Sequence, residues 1–221
     1  MATALRIAIP ILVGYLVGGV PFGVVIARRC YGADITAMGS GNTGATNVLR
    51  NLGWQPALVV ALLDIAKGAA AAGVALGFAA GWSRWATDLL VVAAGVSAMA
   101  GHMYSPYFRL RGGKGIATAA GAIFVLMPAA FPLLIAVFAV LVLVFRIVSV
   151  ASILAALCFP VAIWVLYPDR PVLFVFALLG VPLVVWRHRA NLVRLVRGEE
   201  PKIRIGRPGG RRNASGAGEG D

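Results

Sequence analysis

Apolar stretches long enough to cross a bilayer dominate what this chain can fold into. Seven of them follow one another, at residues 4–27, 55–80, 86–103, 115–131, 132–147, 150–167 and 171–187. A hydrocarbon core of roughly 30 Å takes about 20 residues of helix at 1.5 Å rise per residue. Inside lipid every backbone polar group must be bonded within its own segment, so a run of this kind is read as a helix. The composition agrees: 60% of the 221 residues are hydrophobic, well above the roughly 45–50% of soluble domains. The expected fold is therefore an all-α integral membrane protein with seven transmembrane helices. The stretch 115–147 is too long for one unbent span, and Pro128 and Pro132 mark a hairpin break in it. The first span runs too long for a signal peptide and lacks an A-x-A-like cleavage site. Residues 1–205 read as a single transmembrane domain, and 206–221 as a disordered, basic, Gly-rich tail.

The charges orient the spans. The net charge is +12. Arg28, Arg29, Arg50, Arg109, Arg111, Lys114 and Arg146 lie in segments on one side, as do nine basic residues between Arg187 and Arg212. Together these are 16 of the 20 Lys and Arg residues. The opposite loops carry only Arg84 and Arg170. The positive-inside rule puts the richer side, with the C-terminus, in the cytoplasm. Seven spans then leave the N-terminus outside. Basic residues spread over membrane edges are not a nucleic-acid surface, which needs them gathered on one module. Cys30 and Cys158 fall at different depths, so neither a disulfide nor a Cys metal site is suggested.

Two glycine-rich polar runs interrupt the apolar pattern, Gly39–Arg50 and Gly101–Gly115. A simple anchor has no use for them. Glycine lets backbone approach a ligand closely, and successive N–H groups beside Arg or Lys bind anions. The first run offers Ser40, Gly41, Asn42, Thr46 and Asn47 ahead of Arg50, whose planar fork suits phosphate. The plain alternative is a polar turn with a snorkelling Arg. The second run sets Lys114 among Gly112, Gly113 and Gly115, with His102 and Ser105 before it; the alternative there is a turn with a topogenic Lys. Asp64 and Lys67 share a helix face inside the second span and read as a structural ion pair. Ser149 and Ser152 follow Arg146 at a membrane edge, where a helix cap is an equal reading. After the last span, an amphipathic collar explains the arginines but not His188, Asn191 and Glu200 as well.

Other chemistries are missing from the pattern. No two membrane-edge carboxylates stand at helical spacing, so neither a divalent-metal site nor the paired-aspartate motif of CDP-alcohol phosphotransferases is visible. Neither histidine begins an H-x-x-x-x-D box, and Arg111–Gly115 lacks the spacing of a nucleotide P-loop. No metal and no cofactor are expected.

Three ordered segments carry a family resemblance: GSGNTGATNVLR at 39–50, GHMYSPYFRLRGGKG at 101–115 and RHRANLVRLVRGEEPK at 187–202. With LDIAKG at 63–68 and SVAS at 149–152, they resemble the bacterial PlsY family of acyl-phosphate-dependent glycerol-3-phosphate acyltransferases. One departure is Arg109–Leu110, where the family commonly shows an apolar residue near the Gly-Gly-Lys. The resemblance implies a seven-helix enzyme of the bacterial cell (inner) membrane with its site facing the cytoplasm. It implies acyl transfer from acyl phosphate to the 1-hydroxyl of sn-glycerol 3-phosphate, giving lysophosphatidic acid and phosphate, the first acylation of phospholipid synthesis. It assigns catalysis to Ser40, Arg50, Lys114, His188 and Asn191, and substrate binding to the other polar-run residues named above together with Ser149, Ser152 and Glu200. The implied partners are the two substrates, membrane lipid and a link to an acyl-phosphate-producing enzyme, with no nucleic acid.

The residues agree in kind: two phosphate-bearing substrates need two anion clusters. An acyl phosphate is already activated, so positioning and charge stabilisation suffice. No Ser-His-Asp relay is visible. The resemblance points to a substrate phosphate as proton acceptor, although Asp64 could approach a histidine in the fold and make it a base. A transporter would put its polar breaks at the bilayer midplane and show inverted repeats; these motifs sit at membrane edges and no repeat is found. An acyl-CoA donor would keep the same chemistry, and the motifs do not separate the two.

Overall fold

The computed structural model describes residues 1–203; the tail expected over 206–221 lies outside them. The described chain is helical, without strands. The helices are α1 (Ala2–Gly19), α2 (Phe22–Tyr31), α3 (Ala45–Leu52), α4 (Trp54–Phe78), α5 (Arg84–Met103), α6 (Ile116–Leu126), α7 (Ala130–Phe145), α8 (Val148–Leu166), α9 (Pro171–Arg187) and α10 (Arg189–Val196).

Local chemistry sets several boundaries. Pro21, which has no N–H to donate, parts α1 from α2, and Gly32 ends α2 in the left-handed conformation. The Ser83 side chain caps α5 by accepting from the Ala86 N–H at 3.4 Å. Among the described residues four helices are long and apolar enough to cross a membrane: α1 continued into α2, α4, α5 and α8. Joining α9 to α10 across their 58° bend makes five. The expected spans 115–131 and 132–147 are shorter helices. α6 has 11 residues, about 16 Å of helix, and the chain breaks at Met127–Ala129, ahead of Pro132, which sits inside α7.

Bonds at the two ends of the bundle show successive long helices running in alternating directions. At one end Arg6 of α1 donates to O of Phe78, the last residue of α4, and to Ala80 O beyond it, and Arg170 before α9 pairs with Asp88 of α5 and donates to Leu126 O of α6. At the other end Ser105 after α5 donates to Gly19 O, Lys114 before α6 meets Asn191, and Ser149 of α8 meets Glu200.

Small residues bring the helices together. A Cβ on Gly18 would overlap the Ala98 carbonyl oxygen of α5, and one on Gly121 would overlap Ile65 O of α4. Gly14 and Gly18 form a G-x-x-x-G face, the usual device for close helix approach in lipid. One apolar core gathers Ala72, Leu90, Val91, Ile123, Met127 and Ile163. Large side chains such as Leu143, Val144, Trp164, Val165 and Leu179 point outward and are exposed. That is the wrong surface for water and the right one for acyl chains.

Candidate active site

The polar runs converge at the end of the bundle where Ser105, Lys114 and Ser149 lie. They close one end of a cavity of about 880 Å³. Its wall there includes Ser40, Asn42, Thr46 and Arg50 from the first run, Gly113, Lys114 and Gly115 from the second, and His188 and Asn191. Ser149, Ser152, Asn47, Asp64 and His102 also line it. From this head the cavity runs along one stripe of α5, through Met99, Val96, Val92 and Leu89 to Trp85, and along α9 to Val172. The cavity therefore has a cationic end and a long apolar body.

Glu200 organises the polar end. Its Oε1 accepts from Asn191 Nδ2 at 2.6 Å, Ser149 Oγ at 3.0 Å and Arg50 Nη2 at 3.3 Å, and its Oε2 accepts from Arg194 Nε at 2.8 Å. Asn191, turned by this bond, presents Oδ1 to Lys114 Nζ at 2.5 Å. One buried carboxylate thus connects α3, α8, α10 and the Lys114 loop. Burial disfavours its charge, but the bonds from Asn191, Arg194 and Ser149 outweigh that and hold its pKa below the usual value. Burial pulls the Lys114 ammonium down to about 8, opposed by Glu200 and reinforced by Arg194, Arg50 and Arg187. Arg50 keeps a buried Nε without a partner among the described residues, a donor still free for an anion. His188 has Nδ1 at 2.8 Å from Val184 O. A carbonyl only accepts, so Nδ1 carries the proton and Nε2 of the neutral ring is an acceptor.

Some expected contacts have other employment. Asn47 accepts from Ser40 N–H at 3.1 Å and donates to Ile35 O, Met38 O and Asn42 O at 2.9–3.0 Å. It shapes the first run more than it offers atoms to a ligand. Ser105 is buried, donating to Gly19 O at 2.6 Å, and does not reach the cavity. Gly41 and Gly112 lie outside the lining; a Cβ on Gly112 would overlap His102 O. Ser152 donates back to Val148 O at 2.9 Å within α8. Asp64 and Lys67 are paired at 2.7 Å, and both meet His102 Nδ1, Lys67 at 2.8 Å and Asp64 at 3.4 Å.

Comparison with known proteins matches this arrangement to one group. The family model described as glycerol-3-phosphate acyltransferase matches residues 8–198. The chain belongs to the glycerol-3-phosphate acyltransferase family. A Synechococcus sp. (strain JA-2-3B'a(2-13)) glycerol-3-phosphate acyltransferase is 46% identical over 92% of this chain and 96% of its own length. One from Thermus thermophilus is 43% identical over 87% and 93%. Among solved structures, PlsY, an integral membrane glycerol 3-phosphate acyltransferase, matches in its glycerol 3-phosphate form with TM-score 0.79 at 34% identity, covering 88% of this chain and 94% of that one. Its lysophosphatidic acid form matches with TM-score 0.77 at 34% identity, covering 88% and 93%. The chain is thus an acyltransferase-family integral membrane protein.

Within that family frame, Arg187 is a residue sequence reasoning passed over. Read as part of an amphipathic collar, it instead donates to Gly113 O at 2.6 Å, with its guanidinium 5.6 Å from the Tyr104 ring and 5.5 Å from the Trp186 ring. It braces the carbonyl just before Lys114. The carbonyls of Gly19 and Val20, freed where Pro21 breaks the first helix, receive Ser105 and Lys67. Pro21 was the only signal for either contact.

Proposed function

We propose that this protein transfers a fatty acyl group from acyl phosphate to the 1-hydroxyl of sn-glycerol 3-phosphate, giving lysophosphatidic acid and inorganic phosphate. The observation that carries the reading is one continuous cavity whose cationic head, Lys114 and Arg50, opens into a long apolar body lined by α5 and α9. A phosphate group belongs at one end and an acyl chain in the other. The family's glycerol-3-phosphate acyltransferase activity, and the glycerol 3-phosphate and lysophosphatidic acid forms of the PlsY neighbour, support the acceptor and the product.

In this mechanism the hydroxyl oxygen of glycerol 3-phosphate attacks the acyl carbonyl carbon. The carbonyl carbon–oxygen bond to phosphate breaks, and the hydroxyl proton passes to a substrate phosphate oxygen. Lys114 and Arg50 hold the phosphate groups and neutralise developing charge. Asn191 aims Lys114, and Ser40, Asn42 and Thr46 supply further donors. His188 Nε2, an acceptor, takes the hydrogen bond of the second hydroxyl of glycerol 3-phosphate and so positions the attacking one, whose own hydrogen stays free for the phosphate.

The alternating directions of α1, α4, α5, α6, α7, α8 and α9 support seven crossings of a bacterial inner membrane by one domain, residues 1–205. The basic excess at the site end supports a cytoplasmic active site and an outside N-terminus. Acyl phosphate reaches the site from an enzyme that makes it. The test is purified protein in detergent with labelled glycerol 3-phosphate and either palmitoyl phosphate or palmitoyl-CoA, each with and without EDTA. Turnover with the phosphate donor, unaffected by EDTA, is expected. Turnover with the CoA ester alone would replace the donor, and no acyl transfer at all would overturn the reading.

A further inference from the structure

Asp64, Lys67 and His102 form a buried cluster between α4 and α5 that the reaction above leaves unused. The three are 2%, 3% and 7% exposed. A bare structural pair would end at Asp64 and Lys67. Here the chain of contacts continues toward the site. The Lys67 ammonium has three donors and no acceptor. It meets Asp64 Oδ1 at 2.7 Å, Val20 O at 3.0 Å and His102 Nδ1 at 2.8 Å. The Asp64 contact is an ion pair without hydrogen-bond alignment, and a Lys67 donor aimed at His102 can only be received by an unprotonated Nδ1. Asp64 Oδ1 stands 3.4 Å from the same nitrogen, against 2.8 Å for Lys67 Nζ, and the shorter contact sets the tautomer.

The ring proton of neutral His102 therefore sits on Nε2. That nitrogen makes no hydrogen bond among the described residues. It lies where a side chain on Gly113 would stand, and His102, Gly113 and Lys114 all line the cavity. Gly113 N–H donates to His102 O at 3.2 Å, which holds the loop against the ring. The absence of a side chain at 113 leaves Nε2 open toward the polar end.

We propose that Asp64 and Lys67 are positioning residues that hold His102 in its Nε2–H tautomer, so that His102 donates a further hydrogen bond to the phosphate group held at Lys114. The inference rests on the reading that a phosphate-bearing substrate occupies that end. Asp64, at the cavity wall, acts here through Lys67 and supplies no proton. Its carboxylate pairs with the Lys67 ammonium, and the ammonium selects which histidine nitrogen faces the cavity.

Two measurements test it. The first is independent of any activity. The chain has two histidines, so solid-state NMR of imidazole-¹⁵N-labelled protein in lipid, with His188→Gln as the assignment control, reads the His102 ring directly. Nε2 protonated and Nδ1 bare is expected at neutral pH. A proton on Nδ1 in the unaltered protein overturns the proposal. The second is kinetic, with palmitoyl phosphate as donor. The pair Asp64→Asn with Lys67→Met removes both charges together and leaves no unpaired buried ion. It is expected to raise KM for glycerol 3-phosphate about tenfold or more, with kcat changed less, as loss of a hydrogen bond to a charged group requires. His102→Phe is expected to do the same, and His102→Gln to lose much less, because its amide both accepts from Lys67 and donates. Equal KM in the Phe and Gln variants, or no shift in either, overturns the tautomer role. Unaltered protein inactive with every donor would overturn the acyltransfer reading instead, while the NMR result would still stand.

Discussion

Replacing Glu200 by Gln isolates the consequence of one buried charge, because the two side chains have nearly the same shape. The carboxylate accepts four bonds: three at Oε1, from Asn191, Ser149 and Arg50, and one at Oε2, from Arg194. A carboxamide can face only one side with an acceptor. Its best orientation keeps the oxygen toward the three donors and turns its own N–H₂ on Arg194. That removes the 2.8 Å bond from Arg194 and the charge opposite Arg50. Bonds to a charged group are worth roughly 1.5–3 kcal/mol each, and the Arg50 contact at 3.3 Å is the weaker. A loss of about 3 kcal/mol follows, or about 6–12 °C in the unfolding midpoint for a chain of this size. Catalysis should fall too, because Asn191 and Arg50 are both released from the orientation that serves Lys114. Thermal unfolding in detergent and kcat/KM for glycerol 3-phosphate read the two effects. An unfolding midpoint within about 1 °C of the unaltered protein, with kcat/KM unchanged, would refute the role of Glu200 as the hub. The lowered pKa adds a sign. Glu200 contributes stability above its unfolded value near 4.5, and that contribution is lost as pH falls through its folded value.

The remaining predictions concern the site and its placement. Arg50→Ala and Lys114→Ala should each nearly abolish turnover in folded protein, each losing a charge-assisted contact of roughly 1.5–3 kcal/mol or more; Lys114→Arg should fail as well, because the flanking glycines fit a compact ammonium. Wild-type rates in any of these would remove the assignment. Because Lys114 is lowered to about 8, its ammonium is present below that pH and lost above it; kcat/KM should fall about tenfold per unit as pH rises beyond 8, and a profile flat to pH 10 contradicts this. His188→Gln should retain measurable turnover if a substrate phosphate takes the proton, whereas a thousandfold fall in kcat with glycerol 3-phosphate binding intact would make His188 the base. A C-terminal alkaline phosphatase fusion should be inactive in cells, and an active one would show the orientation to be inverted.

Much of this protein is legible in its sequence for simple physical reasons. Long apolar runs must become helices in lipid, so the all-α membrane class followed from hydropathy alone. Asp64 and Lys67 share a face because they stand three residues apart on one helix, and they pair as that spacing requires. Glycines in the two runs that carry Arg50 and Lys114 singled those runs out, and residues of both line the cavity. What the sequence does not contain is the meeting of distant segments. Glu200 bonds Arg50 across 150 positions, and no local pattern encodes that contact. Arg187 looked like a snorkelling collar because its partner, a backbone carbonyl at Gly113, carries no side-chain signature. Asn47 looked like a ligand contact because its amide was free in the linear chain, whereas in the fold four backbone groups occupy it. The break inside 115–147 falls at Met127–Ala129, around Pro128 as the prolines suggested, and leaves α6 with 11 residues. Secondary structure here is a property of local solvation, but the cavity and its cationic head exist only once the helices have been packed.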